Sequence, residues 1–186
     1  MSTVRLGVVA DTHVPDRRRR LHPNLIAGLR DAGVEMILHA GDISVQGVLR
    51  ELEEIAPVVA VRGNRDWFPH RDLPMKRILQ VSGKRIGLTH GHGGLWPYLS
   101  DKLRLLIRNP RFYDDYARRA VVMFPEALDL VVFGHNHAPM NKAVDGHRMF
   151  NPGSAALHME RHLPPSYGLL TVNSRKIEGE IVYLEG

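Results

Sequence analysis

No cysteine occurs among the 186 residues. Disulfides are excluded, and so are thiolate metal ligands and a cysteine nucleophile. A metal site in this chain has only imidazole, carboxylate, amide and water to draw on. Runs of eighteen or more apolar residues are also missing, so no membrane span is expected. The opening stretch "MSTVRLGVVADTH" lacks the layout of a signal peptide, which makes the cytoplasm the expected location. Aromatic residues are sparse at 6%, and no basic-aromatic pattern of a single-strand binder stands out. Neither sign of charge dominates. The formal net charge of +5, with eleven histidines uncounted, favours anionic partners without separating nucleic acid from a small phosphate ester.

What remains is ordinary for a globular protein, with 44% hydrophobic and 24% charged residues. The length suits one domain over 1–186, and no repeat, low-complexity tract or linker interrupts it. "VRLGVVA" (4–10) predicts a buried strand ending at Asp11. Leu21, Leu25 and Leu29 then recur at helical spacing, with Gly33 as the stop. "VEMILHAGD" predicts a second strand ending at Asp42. Val45, Val48, Leu49, Leu52 and Ile55 share one helical face, closed by Pro57. "VVAVRGN" predicts a third strand ending at Gly63-Asn64. This β-α-β-α-β order implies a sheet that is parallel in this half.

"MKRILQVSGKRIGLTHG" predicts a hairpin turning at Ser82-Gly83-Lys84, its second strand ending at His90. Residues 95–128 are helical in character and read as an insertion, broken at Pro110 and Pro125. "LDLVVFGHNH" predicts a strand ending at Gly134. Turn signals at Asp145-Gly146 and Asn173-Ser174 predict antiparallel β-structure to the end of the chain. Two sheets with helices outside them fit this order.

Polar residues gather where these strands stop: Asp11 and His13, Asp42, Asn64, His90, then His135 and His137. Singly, most are bland, and Gly-His-x-His is more suggestive. Asp-x-His is common, "GD" and "GN" are turn signals, and His90 alone suits a buried core position. Jointly they place five strand ends on one rim, where open α/β sheets bind ligands. Carboxylate, imidazole and amide form the donor set that manganese, iron, zinc or nickel accept. Seven donors exceed what one ion needs once water is admitted. Two divalent ions bring four positive charges, Asp11 and Asp42 return two negatives, and a bridging hydroxide leaves a site matched to a phosphate ester.

The ordered motifs "DTH", "GD", "GNRD", "THGH" and "GHNH", spanning residues 11–137, resemble those of the calcineurin-like metallophosphoesterase superfamily. "NPGS" (151–154), "VRGN" and the short length resemble its small bacterial and archaeal phosphodiesterase branch. The resemblance implies an α/β fold, a four-layer α-β-β-α sandwich of two mixed sheets flanked by helices. It implies a phosphodiesterase that hydrolyses P–O bonds by attack of a metal-bridging hydroxide. Asp11, His13 and His137 would bind one divalent ion and Asn64, His90 and His135 the other, with Asp42 bridging. Manganese is the expected metal, with iron, nickel and zinc as alternatives. Gly134 is expected to let the strand end turn sharply.

One position departs from many relatives, which read GN-H-D. There the histidine is thought to protonate the leaving group and the aspartate, here Asp66, to orient it. Residue 65 is Arg, which cannot act as a general acid near neutral pH but binds phosphate bidentately. Arg65 is therefore a substrate-binding candidate, or a salt-bridge partner of Asp66. His92 is the candidate replacement donor. Serine/threonine protein phosphatases of the superfamily carry GD-x-x-D-R-G and GN-H-E, which "GDISVQG" and "GNRD" do not match.

Other features divide between site and scaffold. Arg17–Arg20 would steer an anionic substrate if held at the rim, or form a solvated loop. Trp96, Tyr113 and Tyr116 are substrate platforms or packing residues, and Leu103, Leu106 and Ile107 read as core. Asn151 belongs first to a turn. The expected partner is a phosphate ester, without a membrane; nucleic acid is permitted by charge but not favoured. The rival from another class is a non-enzymatic scaffold like the retromer subunit of this fold, whose metal site is degraded. A nuclease is the third alternative.

Overall fold

In the computed structural model, which describes residues 2–66, 70, 72–93, 112–157 and 163–185, β1 (Val4–Val9) is the middle strand of a five-stranded sheet. Its alternating side chains serve two cores. Leu6 and Val8 face a second sheet, while Val9 faces the layer of helices. A Cβ on Gly7 would lie 2.5 Å from Leu29 Cδ2, so α1 (Pro23–Asp31) rests directly on the strand. Pro23 opens α1 behind His22, whose Nδ1 accepts the Asn24 N–H at 3.2 Å. Beyond the C-cap Ala32, Gly33 takes φ 61°, and the Val34 N–H closes on the Leu29 carbonyl.

β2 (Met36–His39), α2 (Gln46–Glu53) and β3 (Val58–Ala60) complete the expected parallel half, with β1, β2 and β3 paired in register. Val48, Leu49 and Leu52 of α2 are buried against the same core as Leu25 and Leu29. Val45 and Ile55 fall just outside the helix yet still pack there.

β4 (Lys76–Val81) and β5 (Lys84–Thr89) form the predicted hairpin. Its turn is only Ser82-Gly83, both with positive φ, and Lys84 already belongs to the strand. Of the helical region expected over 95–128, α3 (Phe112–Val122) is present and 123–129 is not helical. Trp96, Leu103, Leu106, Ile107 and the Tyr113 side chain lie outside the described residues.

β6 (Leu130–Val132), β7 (Met140–Val144) and β8 (His147–Asn151) join the second sheet, in the order β4-β5-β6-β8-β7. β9 (Ser166–Val172) and β10 (Ile177–Tyr183) return to the first, in the order β10-β9-β1-β2-β3. Each late pair is an antiparallel hairpin as expected, but the two hairpins serve different sheets. β8 also runs parallel to β6, a pairing local turn signals do not encode.

Four layers result. α1 and α2 cover one sheet, and α3 covers the other through Tyr116, Ala117 and Ala120. Between the sheets lie Leu38, Val61, Ile86, Leu88, Val132, Phe150 and Leu170. No helix among the described residues is long and apolar enough to cross a membrane. The ends of β1, β2, β3, β5, β6 and β8 carry "DTH", "GD", "GN", "HGH", "GHNH" and "NPGS".

Candidate metal centre

Asp11, His13 and His137 converge from the loops after β1 and β6. His13 Nε2 lies 3.1 Å from His137 Nε2 and 3.7 Å from Asp11 Oδ1. His137 Nε2 is 3.3 Å from the same oxygen. Asp11 is fully buried, and Oδ1 has no hydrogen-bond partner among the described residues. Its other oxygen, Oδ2, accepts the His135 N–H at 3.0 Å.

Beside this trio stands a second group. His90 Nδ1–H donates to the Ala40 carbonyl at 2.7 Å, which turns Nε2 toward the site. That nitrogen is 3.0 Å from Asn64 Oδ1, which is also 2.9 Å from His135 Nδ1. Asp42 reaches both groups, with Oδ1 3.4 Å from His90 Nε2 and Oδ2 3.8 Å from His13 Nε2. In two sets, Asp11-His13-His137 and Asp11-Asp42-His90, one ligand atom per residue lies within 4.8 Å of the others. All seven predicted donors thus meet at one rim.

The backbone is strained to achieve this. Asp11, His13, Asp42, His135 and His137 all have φ between 46° and 74°. A side-chain-bearing residue adopts this left-handed conformation at a cost of about 1 kcal/mol or more, and such strain concentrates at functional sites. Gly134 has no positive φ, which corrects the expectation of a sharp turn there. It is glycine because a Cβ would lie 2.9 Å from Asp11 Oδ2 and 3.0 Å from Ala10 Cβ. The bend falls instead on His135 and His137. Gly63 and Gly41 pack similarly, and a Cβ on Gly63 would collide with the Asp42 backbone and carboxylate.

Several residues hold the loops without joining the donors. Asp66 is fully buried, and its carboxylate accepts three backbone N–H groups: Ile43 and Ser44 at 2.9 Å, and Gly63 at 2.8 Å. It pins the loops of Asp42 and Asn64 together and makes no salt bridge to Arg65. Arg65 instead donates to Asp16 Oδ2 at 2.9 Å, 40% exposed at its side chain. His39 is a further residue of the site that the motif spacing does not mark. Its Nδ1 accepts the Gly41 N–H at 3.2 Å, so Nε2–H points at Thr12 Oγ1 at 3.3 Å. Thr12 Oγ1 donates onward to the Ile43 carbonyl at 3.2 Å, tying the first two motif loops. The histidine before "GD" was the available signal, but in a buried strand it reads as core. Asn151 donates to the Gly134 carbonyl and to Asn136 Oδ1, and Ser154 Oγ–H to the Asp11 carbonyl. "NPGS" is therefore a brace.

Electrostatics follow from burial among mixed charges. Burial alone would raise the Asp11 carboxyl, but His137, His90 and His13 around it hold it well below the usual range. Burial pushes His13 and His39 down to about 4, so both are neutral at pH 7. His90 runs the other way. Burial opposes its charge, yet Asp42 and Asp11 raise it above the ordinary value. His92 is buried with its ring 5.3 Å from that of His90 and 6.1 Å from that of His135. Burial and these two imidazoles push it down to about 3, which makes it a neutral ring with no proton to spare at pH 7. Tyr116 is buried with its ring edge-on to His135 at 5.3 Å, and packs in the α3 core. Arg17, Arg19 and Arg20 are exposed, whereas Arg18 donates to the Ala156 carbonyl at 3.0 Å.

Residues 4–175 match the calcineurin-like phosphoesterase superfamily domain. A probable metallophosphoesterase of Methanothermobacter thermautotrophicus is 30% identical over 177 residues, covering 95% of this chain and 91% of that protein. A phosphodiesterase of Methanocaldococcus jannaschii is 22% identical, covering 93% of this chain and 96% of its own. Among solved structures, Vacuolar Protein Sorting 29 from Cryptosporidium parvum shares the fold with a TM-score of 0.72. It is 22% identical, covering 98% of this chain and 92% of that one.

Proposed function

The chain belongs to the calcineurin-like phosphoesterase superfamily, and from that membership we propose that it is a two-metal phosphodiesterase. Asp11, His13 and His137 would hold one divalent ion, Asn64, His90 and His135 the other, and Asp42 would bridge them. One observation carries this assignment. A fully buried carboxylate oxygen without a hydrogen bond among the described residues, Asp11 Oδ1, faces two imidazole nitrogens that stand 3.1 Å apart. A buried carboxylate oxygen and two imidazole nitrogens gathered this closely fit a cation. Manganese suits this oxygen and nitrogen set, and iron, nickel or zinc are the competitors. Two such ions supply Lewis-acid charge to phosphoryl oxygens and activate water.

The chain's own groups do the rest. The bond from His90 Nδ1–H to Ala40 fixes the tautomer that presents Nε2. Asp66 acts through the loop backbone, keeping Asp42 and Asn64 in place, rather than by orienting a histidine at position 65. Arg65 takes a phosphoryl oxygen with a guanidinium that cannot release its proton. His92, as a neutral ring, orients water or the leaving group instead of protonating it. The reaction therefore favours esters with good leaving groups. The phosphodiesterase among the relatives supports the diester preference.

The test is metal analysis of protein purified without chelator, paired with turnover of an aryl phosphodiester against the monoester. Asp42→Asn and His135→Ala should lower metal content and activity together. Monoester turnover well above diester turnover would reverse the preference. The fold shared with Vacuolar Protein Sorting 29 favours a scaffold as the second reading. A protein that holds metal yet is inert toward every phosphodiester would support it.

A further inference from the structure

We propose that Asp16 and Arg65 form a displaceable clamp at the mouth of the site. In it, Asp16 competes with the substrate's phosphoryl group for the Arg65 guanidinium and so sets how tightly phosphate is held. The inference rests on the phosphoesterase reading above. Both residues are wired to candidate metal ligands on separate loops. The Arg65 N–H donates to Asp42 Oδ1 at 2.8 Å. The Arg17 N–H donates to the His13 carbonyl at 2.8 Å, closing a turn that carries Asp16 three residues past His13. The side chains meet across these loops through Nη1 and Oδ2 at 2.9 Å.

That contact uses one of the five guanidinium donors. Its ends are 40% and 46% exposed, unlike the buried donors below. An exposed pair of this kind holds its partners by only about fivefold or less. A phosphate anion, which accepts two parallel N–H bonds from arginine, competes successfully. Arg65 is near enough for its charge to bear on His13. Diester hydrolysis leaves a monoester with an additional negative charge. That charge strengthens the product's hold on Arg65, and Asp16, by reclaiming the guanidinium, offsets part of it and promotes release.

The experiment is calorimetric titration of inorganic phosphate into the full chain in excess manganese. Asp16→Asn should tighten phosphate about threefold to fivefold, the reciprocal of the lost competitor. Arg65→Ala should weaken it about tenfold, and the double variant should match Arg65→Ala. Asp145→Asn, which removes a like charge at the β7–β8 turn, should change nothing. The clamp is wrong if Asp16→Asn binds no tighter, if the gain survives in the double variant, or if Asp145→Asn reproduces it. Binding is read without turnover. An inert chain with this pattern keeps the clamp and loses the phosphodiesterase assignment, whereas an active chain without it loses the clamp alone.

Discussion

His13 and His137 stand 124 residues apart in the chain, yet their Nε2 atoms face each other at 3.1 Å beside a buried carboxylate oxygen. An N–H···N bond between the two rings would still leave that oxygen and both Nδ1 atoms buried without a partner among the described residues, which a purely structural core avoids. Metal-loaded protein should hold about two equivalents of manganese per chain, and His137→Ala about one. Elemental analysis after desalting decides this. An unchanged count in the variant would remove His137 from the ligand set.

Asp66 offers a test of loop pinning separate from chemistry. Asp66→Asn keeps the volume but turns an N–H group toward one of three backbone donors. The loss should be about 2–4 kcal/mol of stability, because hydrogen bonds to a buried charged acceptor are among the strongest. Manganese affinity should fall with it. Urea unfolding with and without manganese measures both, and a wild-type midpoint would refute the pinning role.

Gly63→Ala should be more damaging than its size suggests. The added methyl would strike the Asp42 carboxylate and backbone, with overpacking worth about 1–3 kcal/mol. Gly47→Ala is the comparison, since nothing lies within 4 Å of a Cβ there and α2 gains helix propensity. Thermal melts should move in opposite directions for the two variants.

Acid should destabilise the chelated protein through its buried neutral imidazoles. His13 and His39 titrate near 4 in the folded state against 6.5 when free. Below 6.5 the unfolded chain takes up protons that the folded chain refuses, so stability falls as pH drops from about 6.5 toward 4. Each contributes about 3 kcal/mol across that window, with His90 and Asp42, both raised instead, opposing it. Chevron or equilibrium urea midpoints at pH 7.5 and 5 check the slope. His39→Gln should flatten it, and a slope that ignores this change would argue against His39 as a source.

The linear chain determined the strands, the helices of the first half and the seven candidate ligands that meet at the rim. Short apolar runs ending in Gly, Asp or His carry both the hydrophobic period and the point where it stops. It also determined that any metal here is held by nitrogen and oxygen, since no sulfur ligand is encoded as cysteine. Tertiary structure alone decided that β8 lies beside β6 while β9 crosses to β1, because strand pairing is set by packing over distances that turn signals do not span. It decided that Gly134 and Gly63 make room for Asp11 and Asp42, that Arg65 pairs with Asp16, and that Asp66 and His39 serve the backbone. A side chain's partner is fixed by which loops the sheets bring together, and that neighbourhood exists only once the two layers have closed.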